Sequence, residues 1–197
     1  MLVFRRTEWQ LIKKGNYWGE PGISVETAIM DDDGNLLQQG QIGEIVRRGP
    51  AHLIEYYKNQ KATDETRKYG WDHSEDLGYF DEDGLLAFVD RKKDMIKTGG
   101  ENVPSIKVEQ VILENPMVAE VAVVGLPHER WIEAITAFVV PKEGSTISEE
   151  EFIDFCKKKL GGFEIPKKIV FLDALPKTST GKLQKNVIKE KYADLYK

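Results

Sequence analysis

The sequence has a single cysteine, Cys156, and only three histidines in 197 residues. One cysteine cannot close an internal disulfide, and without spaced Cys or His companions it makes no metal site. Cys156 falls on the apolar side of an expected helix, which makes it a packing residue. No run of about 18 apolar residues is present to cross a bilayer as a helix, and residues 1–6 lack the apolar centre of a signal peptide. The expected location is therefore cytoplasmic. There is no basic excess either: 28 Lys and Arg stand against 33 Asp and Glu, a net charge of −5. Such a surface as a whole does not suit nucleic acid or an anionic membrane. Internal repeats and low-complexity stretches are also missing. With 41% hydrophobic and 31% charged residues, the composition is that of a folded globule and excludes a disordered chain.

The charge that is present is unevenly placed. Residues 1–90 carry 10 basic against 17 acidic side chains, and 91–197 carry 18 against 16, so the first part is at −7 and the second at +2. In residues 20–49 Ile23, Val25, Thr27 and Ile29 alternate with polar neighbours, and Asp33-Gly34 supplies a tight turn, which together predict antiparallel strands. A polar, partly helical connection over 59–67 follows. The runs 77–80 and 85–89 flank Asp81-Glu82-Asp83-Gly84 and predict a hairpin.

Beyond the hairpin, Pro104 is placed to occupy a first helical turn, with Val108, Val111 and Ile112 at helical spacing until Asn115-Pro116. Two β-rich runs, 118–124 and 132–140, are separated by a loop of turn formers and charges at 125–130. The next helix has clear ends. Ser148 and Glu151 form a capping box, Glu149 to Glu151 lie at the positive end of the dipole, Lys157 to Lys159 at the negative end, and Gly161-Gly162 terminates it. Phe152, Phe155, Cys156 and Leu160 make its buried stripe. A short strand at 168–172 leads through the loop 175–182 to a final helix carrying Leu183, Val187 and Ile188. The expected class is α+β: a β-rich partial barrel piece, residues 1–89, then a small α+β domain, residues 90–197, with a three-stranded sheet and helices.

Between the two lies Asp90-Arg91-Lys92-Lys93-Asp94-Met95-Ile96-Lys97-Thr98-Gly99-Gly100-Glu101-Asn102-Val103-Pro104. This stretch resembles the hinge motif of the adenylate-forming superfamily of AMP-forming acyl-CoA ligases, adenylation domains and luciferases, in which the position of Asp90 is the pivot. The resemblance spans nearly the whole chain but only roughly the last third of the family's length. It implies that residues 1–89 are the end of a large N-terminal adenylation domain and residues 90–197 a C-terminal lid.

The resemblance also implies a set of site residues. Trp71-Asp72-His73-Ser74-Glu75-Asp76-Leu77-Gly78-Tyr79 is similar to the segment whose aspartate, here Asp76, takes both ribose hydroxyls of ATP. A carboxylate suits a vicinal diol because each oxygen accepts one hydrogen bond. The family has Thr-Gly-Asp where this chain has Ser74-Glu75-Asp76. Arg91 would contact the nucleotide with its planar fork. Gly99-Gly100 would line the pantetheine tunnel, since glycine lets the backbone pass close to a ligand; no third glycine follows to make a dinucleotide fingerprint. Lys182 would reach the carboxylate and α-phosphate during adenylation, as the catalytic residue. Its loop is not a Walker motif, because Pro176 takes the upstream glycine position and Leu183 follows the lysine. Trp131 and Phe163 would stack on the CoA adenine, although Ile132 stands where the family often has glycine and Glu164 where lysine is common. Thr7 would meet phosphate and Glu8 would hold magnesium.

The expected reaction has two steps. A fatty or aryl carboxylate attacks ATP to give acyl-AMP and pyrophosphate, and the CoA thiol then displaces AMP, with rotation at Asp90 exchanging Lys182 for the Gly99-Gly100 face. ATP, Mg2+ and CoA are the implied cofactors and substrates. The Gly- and Ser/Thr-rich phosphate loop and the carboxylate pocket of relatives are not among these 197 residues. Agreement with the family decays before Thr7, so the chain is expected to be a truncated or frame-disrupted product, inactive alone, that associates with itself or with a missing N-terminal part. Two other readings stand beside it: the adenylation domain of a peptide synthetase, and a non-catalytic module that binds CoA or a partner subunit.

Overall fold

Period-two alternation builds most of the first unit of the computed structural model, which describes residues 4–5, 16–22, 24–50, 55–145 and 148–197. The chain divides into two compact units, Met1–Lys93 and Asp94–Lys197. Unit 1 is a curled, half-barrel sheet of antiparallel strands: β1 (Phe4–Arg5), β2 (Tyr17–Pro21), β3 (Glu26–Met30), β4 (Gly43–Arg48), β5 (Arg67–Lys68), β6 (Trp71–Phe80) and β7 (Leu86–Arg91). Their order is β1-β2-β7-β6-β4-β3, with β5 added beside β6. Ile29 and Ile45 pack with Leu86 in one cluster, and their neighbours Met30 and Val46 pack with Trp71 in another. Successive side chains of a strand point to opposite faces, so both faces of β3 and β4 carry apolar packing. Ile23 lies outside the described residues.

Aspartates shape both turns of this sheet. Asp31 Oδ1 accepts the N–H groups of Asp33 and Asn35, at 3.0 and 2.8 Å, and Asp81 Oδ1 accepts those of Asp83 and Leu85, at 3.0 and 2.9 Å. A short carboxylate thereby replaces a backbone acceptor inside the turn. Helix α1 (Gln60–Thr66) starts where Asn59 Oδ1 accepts the Ala62 N–H. The hairpin expected from residue 77 begins earlier, because β6 runs from Trp71, which pairs with Lys68 of β5.

In unit 2 the three expected strands are present as β10 (Val118–His128), β11 (Ile132–Pro141) and β12 (Lys168–Phe171). The hairpin β8 (Ile96–Thr98) and β9 (Glu101–Val103) extends them to five strands in the order β10-β11-β8-β9, with β12 parallel to β11. Helices α2 (Ser105–Leu113) and α3 (Glu149–Lys157) cover one face, packing Val108, Ile112, Phe152 and Cys156 on Val123, Ala137 and Ile169. Helix α4 (Lys185–Lys191) covers the other with Ile188, against Ala122, Val124 and Phe138. Neighbours such as Ala137 and Phe138 thus serve opposite layers, as alternation requires.

Several boundaries differ from the sequence expectation. Pro104 caps α2 with extended backbone (φ −64°, ψ 123°) and does not enter its first turn. Leu183 precedes α4. The stretch 125–128, expected as loop, continues β10, with Gly125 opposite Ile135 and His128 opposite Ile132. A Cβ on Gly125 would sit 2.8 Å from both the Glu133 carboxyl and an Ile96 methyl, so here glycine serves close packing inside a strand. Pro127 is tolerated because β10 is an edge of its sheet among the described residues, where a missing N–H leaves no ladder bond broken. The capping box is present in full: Ser148 Oγ accepts the Glu151 N–H at 3.3 Å, and Glu151 Oε2 accepts the Ser148 N–H at 2.9 Å.

Candidate functional site

In unit 1 the ladder between β6 and β7 places Asp76 opposite Arg91 and Leu77 opposite Asp90. Arg91 Nε lies 3.8 Å from Asp76 Oδ1. Asp76 is half-buried, and that burial raises its pKa above the ordinary carboxylate value against the pull of Arg91 and Arg47, with Glu75 and Glu44 adding to the rise. Asp90 is 1% exposed, and its Oδ1 accepts the Arg91 N–H at 2.7 Å. Asp76, Asp90 and Arg91 are therefore brought together by one pair of strands.

The backbone before Asp76 is tightly held. Ser74 Oγ donates to the Ile45 carbonyl at 2.6 Å and accepts the Asp76 N–H at 3.1 Å. Glu75 takes a left-handed conformation, φ 59°, which residues other than glycine, asparagine and aspartate seldom adopt. Its N–H donates to Glu44 Oε1 at 2.9 Å and its carbonyl accepts the Lys92 N–H at 2.8 Å. Glu44 also meets His73 Nδ1 at 3.1 Å and Lys92 Nζ at 3.0 Å. Burial alone would raise the Glu44 pKa, but the hydrogen bonds from His73, Lys92 and Glu75 outweigh it and hold the carboxyl below its ordinary value. Sequence reasoning missed Glu44 and His73, since Glu44 lies 31 residues before the amide that it holds.

In unit 2 the turn between β8 and β9 holds Gly99 and Gly100, both at positive φ. Gly99 donates its N–H to the Trp131 carbonyl at 2.9 Å, and a Cβ added to it would stand 3.2 Å from the indole. No heavy atom would lie within 4 Å of a Cβ on Gly100, so that residue faces open space. Two cations flank Trp131: the Arg130 guanidinium 4.6 Å and Lys167 Nζ 4.9 Å from the ring centroid. Burial, with Arg130 nearby, lowers the Lys167 pKa. Ile132 has φ 69° and is 66% exposed. Phe163 is also exposed. Glu164 is buried and bonds Lys107 Nζ at 2.5 Å and the Gly161 N–H at 2.9 Å.

Lys182 sits on a closed turn. The Thr178 N–H donates to the Lys182 carbonyl at 2.8 Å, and the Lys182 N–H donates to Thr178 Oγ1 at 3.1 Å. On one side Lys177 bonds Glu120 at 2.6 Å; on the other Lys185 bonds Glu109 and Ser105, both at 2.7 Å. The turn is anchored at both ends, and the Lys182 side chain is exposed with no ion-pair partner among the described residues. Thr7 and Glu8 lie outside the described residues, and among those described no three His, Cys, Asp or Glu side chains converge as a metal site.

Residues 107–182 match the AMP-binding enzyme C-terminal domain family. The chain is 42% identical over 172 residues to a long-chain-fatty-acid–CoA ligase of Escherichia coli O157:H7, covering 87% of this chain and 30% of that protein. The chain belongs to the adenylate-forming enzymes, as a C-terminal portion. Within that family it is also 45% identical over 173 residues to 4-hydroxybutyrate–CoA ligase 2 of Metallosphaera sedula, covering 87% of this chain and 31% of the relative. Its structure is similar to ATP-bound MatB from Rhodopseudomonas palustris, with a TM-score of 0.86 and 36% identity, covering 92% of this chain and 37% of the other. The chain spans about a third of the length of the curated relatives it matches. The curated relatives that it matches are named as CoA ligases.

Proposed function

We propose that this chain supplies nucleotide and CoA contacts to an AMP-forming acid–CoA ligase that activates a fatty or aryl carboxylate. The observation that carries the reading is the half-buried Asp76 carboxylate with Arg91 3.8 Å away on the adjoining strand. Its two oxygens suit two vicinal hydroxyls, and the guanidinium beside it favours the ionised, fully accepting form. In unit 2 the Trp131 indole, with Arg130 and Lys167 beside it, suits a ligand that joins a flat base to phosphates, because the ring stacks and the cations pair. The open backbone at Gly100 leaves room for a thin chain such as pantetheine, and Phe163 offers a second exposed aromatic face.

Lys182 is the adenylating residue in this reading. Its ammonium, free on an anchored turn, meets the negative charge of the attacking carboxylate and of the α-phosphate and stabilises the charge that builds on phosphorus. Asp90 acts as the pivot, Thr7 meets phosphate, and Glu8 holds magnesium. The 197 residues contain no Gly- and Ser/Thr-rich phosphate loop, so the isolated chain is inactive in adenylation and acts with an N-terminal part.

The test is AMP binding by calorimetry and ATP–pyrophosphate exchange. The chain is expected to bind AMP weakly and to lose that binding on Asp76→Ala. Exchange is expected only when the N-terminal two-thirds of the Escherichia coli relative is added. AMP binding unaffected by Asp76→Ala would overturn the assignment, and exchange by the isolated chain would overturn the division of labour.

A further inference from the structure

We propose that Glu44 is a positioning residue that sets the Asp76 carboxylate by holding the left-handed turn at Glu75; the inference rests on the nucleotide reading of Asp76 given above. Glu44 lies on β4, its side chain is only 6% exposed, and it makes three bonds to two other segments. Oε1 takes the Glu75 N–H at 2.9 Å; Oε2 takes Lys92 Nζ at 3.0 Å and stands 3.1 Å from His73 Nδ1. Glu75 is therefore gripped twice, through its N–H by the Glu44 carboxylate and through its carbonyl by the Lys92 N–H at 2.8 Å. Lys92 is bound in turn to Asp32 at 2.6 Å as well as to Glu44.

The grip has something to oppose. Glu75 stands at φ 59°, a conformation that an L side chain other than Asn or Asp disfavours, and it immediately precedes Asp76. If Glu75 relaxed to extended backbone, the direction of the next residue would change, and Asp76 would lose its alignment with Arg91 and with Ser74 Oγ. A glycine at 75 would hold the turn unaided. With glutamate there, the buried carboxylate of Glu44 supplies the restraint from outside the segment. The same carboxylate fixes Lys92, two residues after Asp90, so the ribose aspartate and the proposed pivot share one anchor.

The experiment is made on the whole 197-residue chain with AMP as the probe. Positive φ brings an amide proton close to its own Hα, so wild-type residue 75 gives a strong intraresidue amide-to-Hα NOE. Glu44→Ala is expected to weaken that NOE and to raise the Kd for AMP about tenfold, the usual consequence of leaving a buried donor unpaired. Adding Glu75→Gly to Glu44→Ala is expected to restore AMP binding, because glycine takes the turn without help; binding alone is read there, since glycine has an Hα on either side and its NOE does not report the sign of φ. Glu44→Gln, which keeps an acceptor for the Glu75 N–H, is expected to retain the NOE and bind AMP within about twofold of wild type. An undiminished NOE and Kd in Glu44→Ala would overturn the proposal, as would a double variant that folds but does not regain AMP binding. A Gln variant that keeps the NOE yet binds as poorly as Ala would also overturn it. Should the wild type bind no AMP, the nucleotide reading fails, while the NOE series still decides whether Glu44 holds the turn.

Discussion

Asp76 and Arg91 are direct partners across the β6–β7 ladder, with Arg91 Nε 3.8 Å from Asp76 Oδ1. The guanidinium lowers the Asp76 pKa against a larger rise from burial. Arg91→Ala is expected to move the Asp76 titration further up and to weaken AMP binding. Carbon NMR of the side-chain carboxyl checks the first and calorimetry the second. An Asp76 titration that does not move would mean that solvent already screens the pair, since Arg91 is 61% exposed.

Lys182 makes no ion pair among the described residues, so its replacement removes little from the fold. In the complemented enzyme, Lys182→Ala is expected to reduce ATP–pyrophosphate exchange by about 100-fold or more, the scale of losing one charge-stabilising donor. Thioester formation from supplied acyl-AMP is expected to stay within about threefold of wild type, because in the proposed two-step scheme rotation at Asp90 has by then exchanged Lys182 for the Gly99-Gly100 face. Equal losses in both steps would refute this division.

Ile132 combines φ 69° with a side chain 66% exposed. Left-handed backbone costs an L residue roughly 1–2 kcal/mol, more for a β-branched one, and glycine returns part of that through the entropy of the unfolded chain. Ile132→Gly is expected to stabilise unit 2 by about 0.5–1 kcal/mol. A urea titration would show a higher midpoint at unchanged slope. A lower midpoint would mean that the isoleucine side chain contributes more packing than its exposure indicates.

Cys156 is fully buried in the core beneath α3, and burial pushes its thiol pKa up to about 11 from an ordinary 9.0. The native thiol is expected to resist a disulfide reagent at pH 8 and to react fully in denaturant. The sign for stability follows from linkage: above about pH 9 the unfolded thiol ionises while the folded one stays protonated, so this residue makes stability fall as pH rises toward 11. Cys156→Ala is expected to flatten that fall, as read from unfolding midpoints between pH 8 and 10.

Local devices were legible wherever partner and function lie within a few residues. The Ser148–Glu151 capping box, the Asp81 turn and the stripe of Phe152, Cys156 and Leu160, with Phe155 only partly buried beside them, follow from spacing alone. The extension of β10 was not legible, because Gly125 and Pro127 are turn formers by local preference, and only the close approach of Glu133 and Ile96 and the edge position make them strand residues. The departures at Glu75 and Ile132 were visible as departures. Their meaning was not, since φ of 59° and 69° is a property of the folded backbone.

The sequence by itself determined the local elements and supplied, through its family resemblance, the candidate site residues: a carboxylate at 76, a cation at 91, paired glycines at 99 and 100, an aromatic at 131 and a lysine at 182. The local elements are legible because propensity, capping and turn chemistry act over a handful of residues. Only the tertiary structure decided what holds them. Glu44 reaches Glu75 from 31 residues away, and Lys107 reaches Glu164 from 57. Arg130 and Lys167 come to rest beside one indole although 37 positions part them. Such contacts depend on how strands register and helices pack, and those relations become fixed only when distant segments exclude water from the same place.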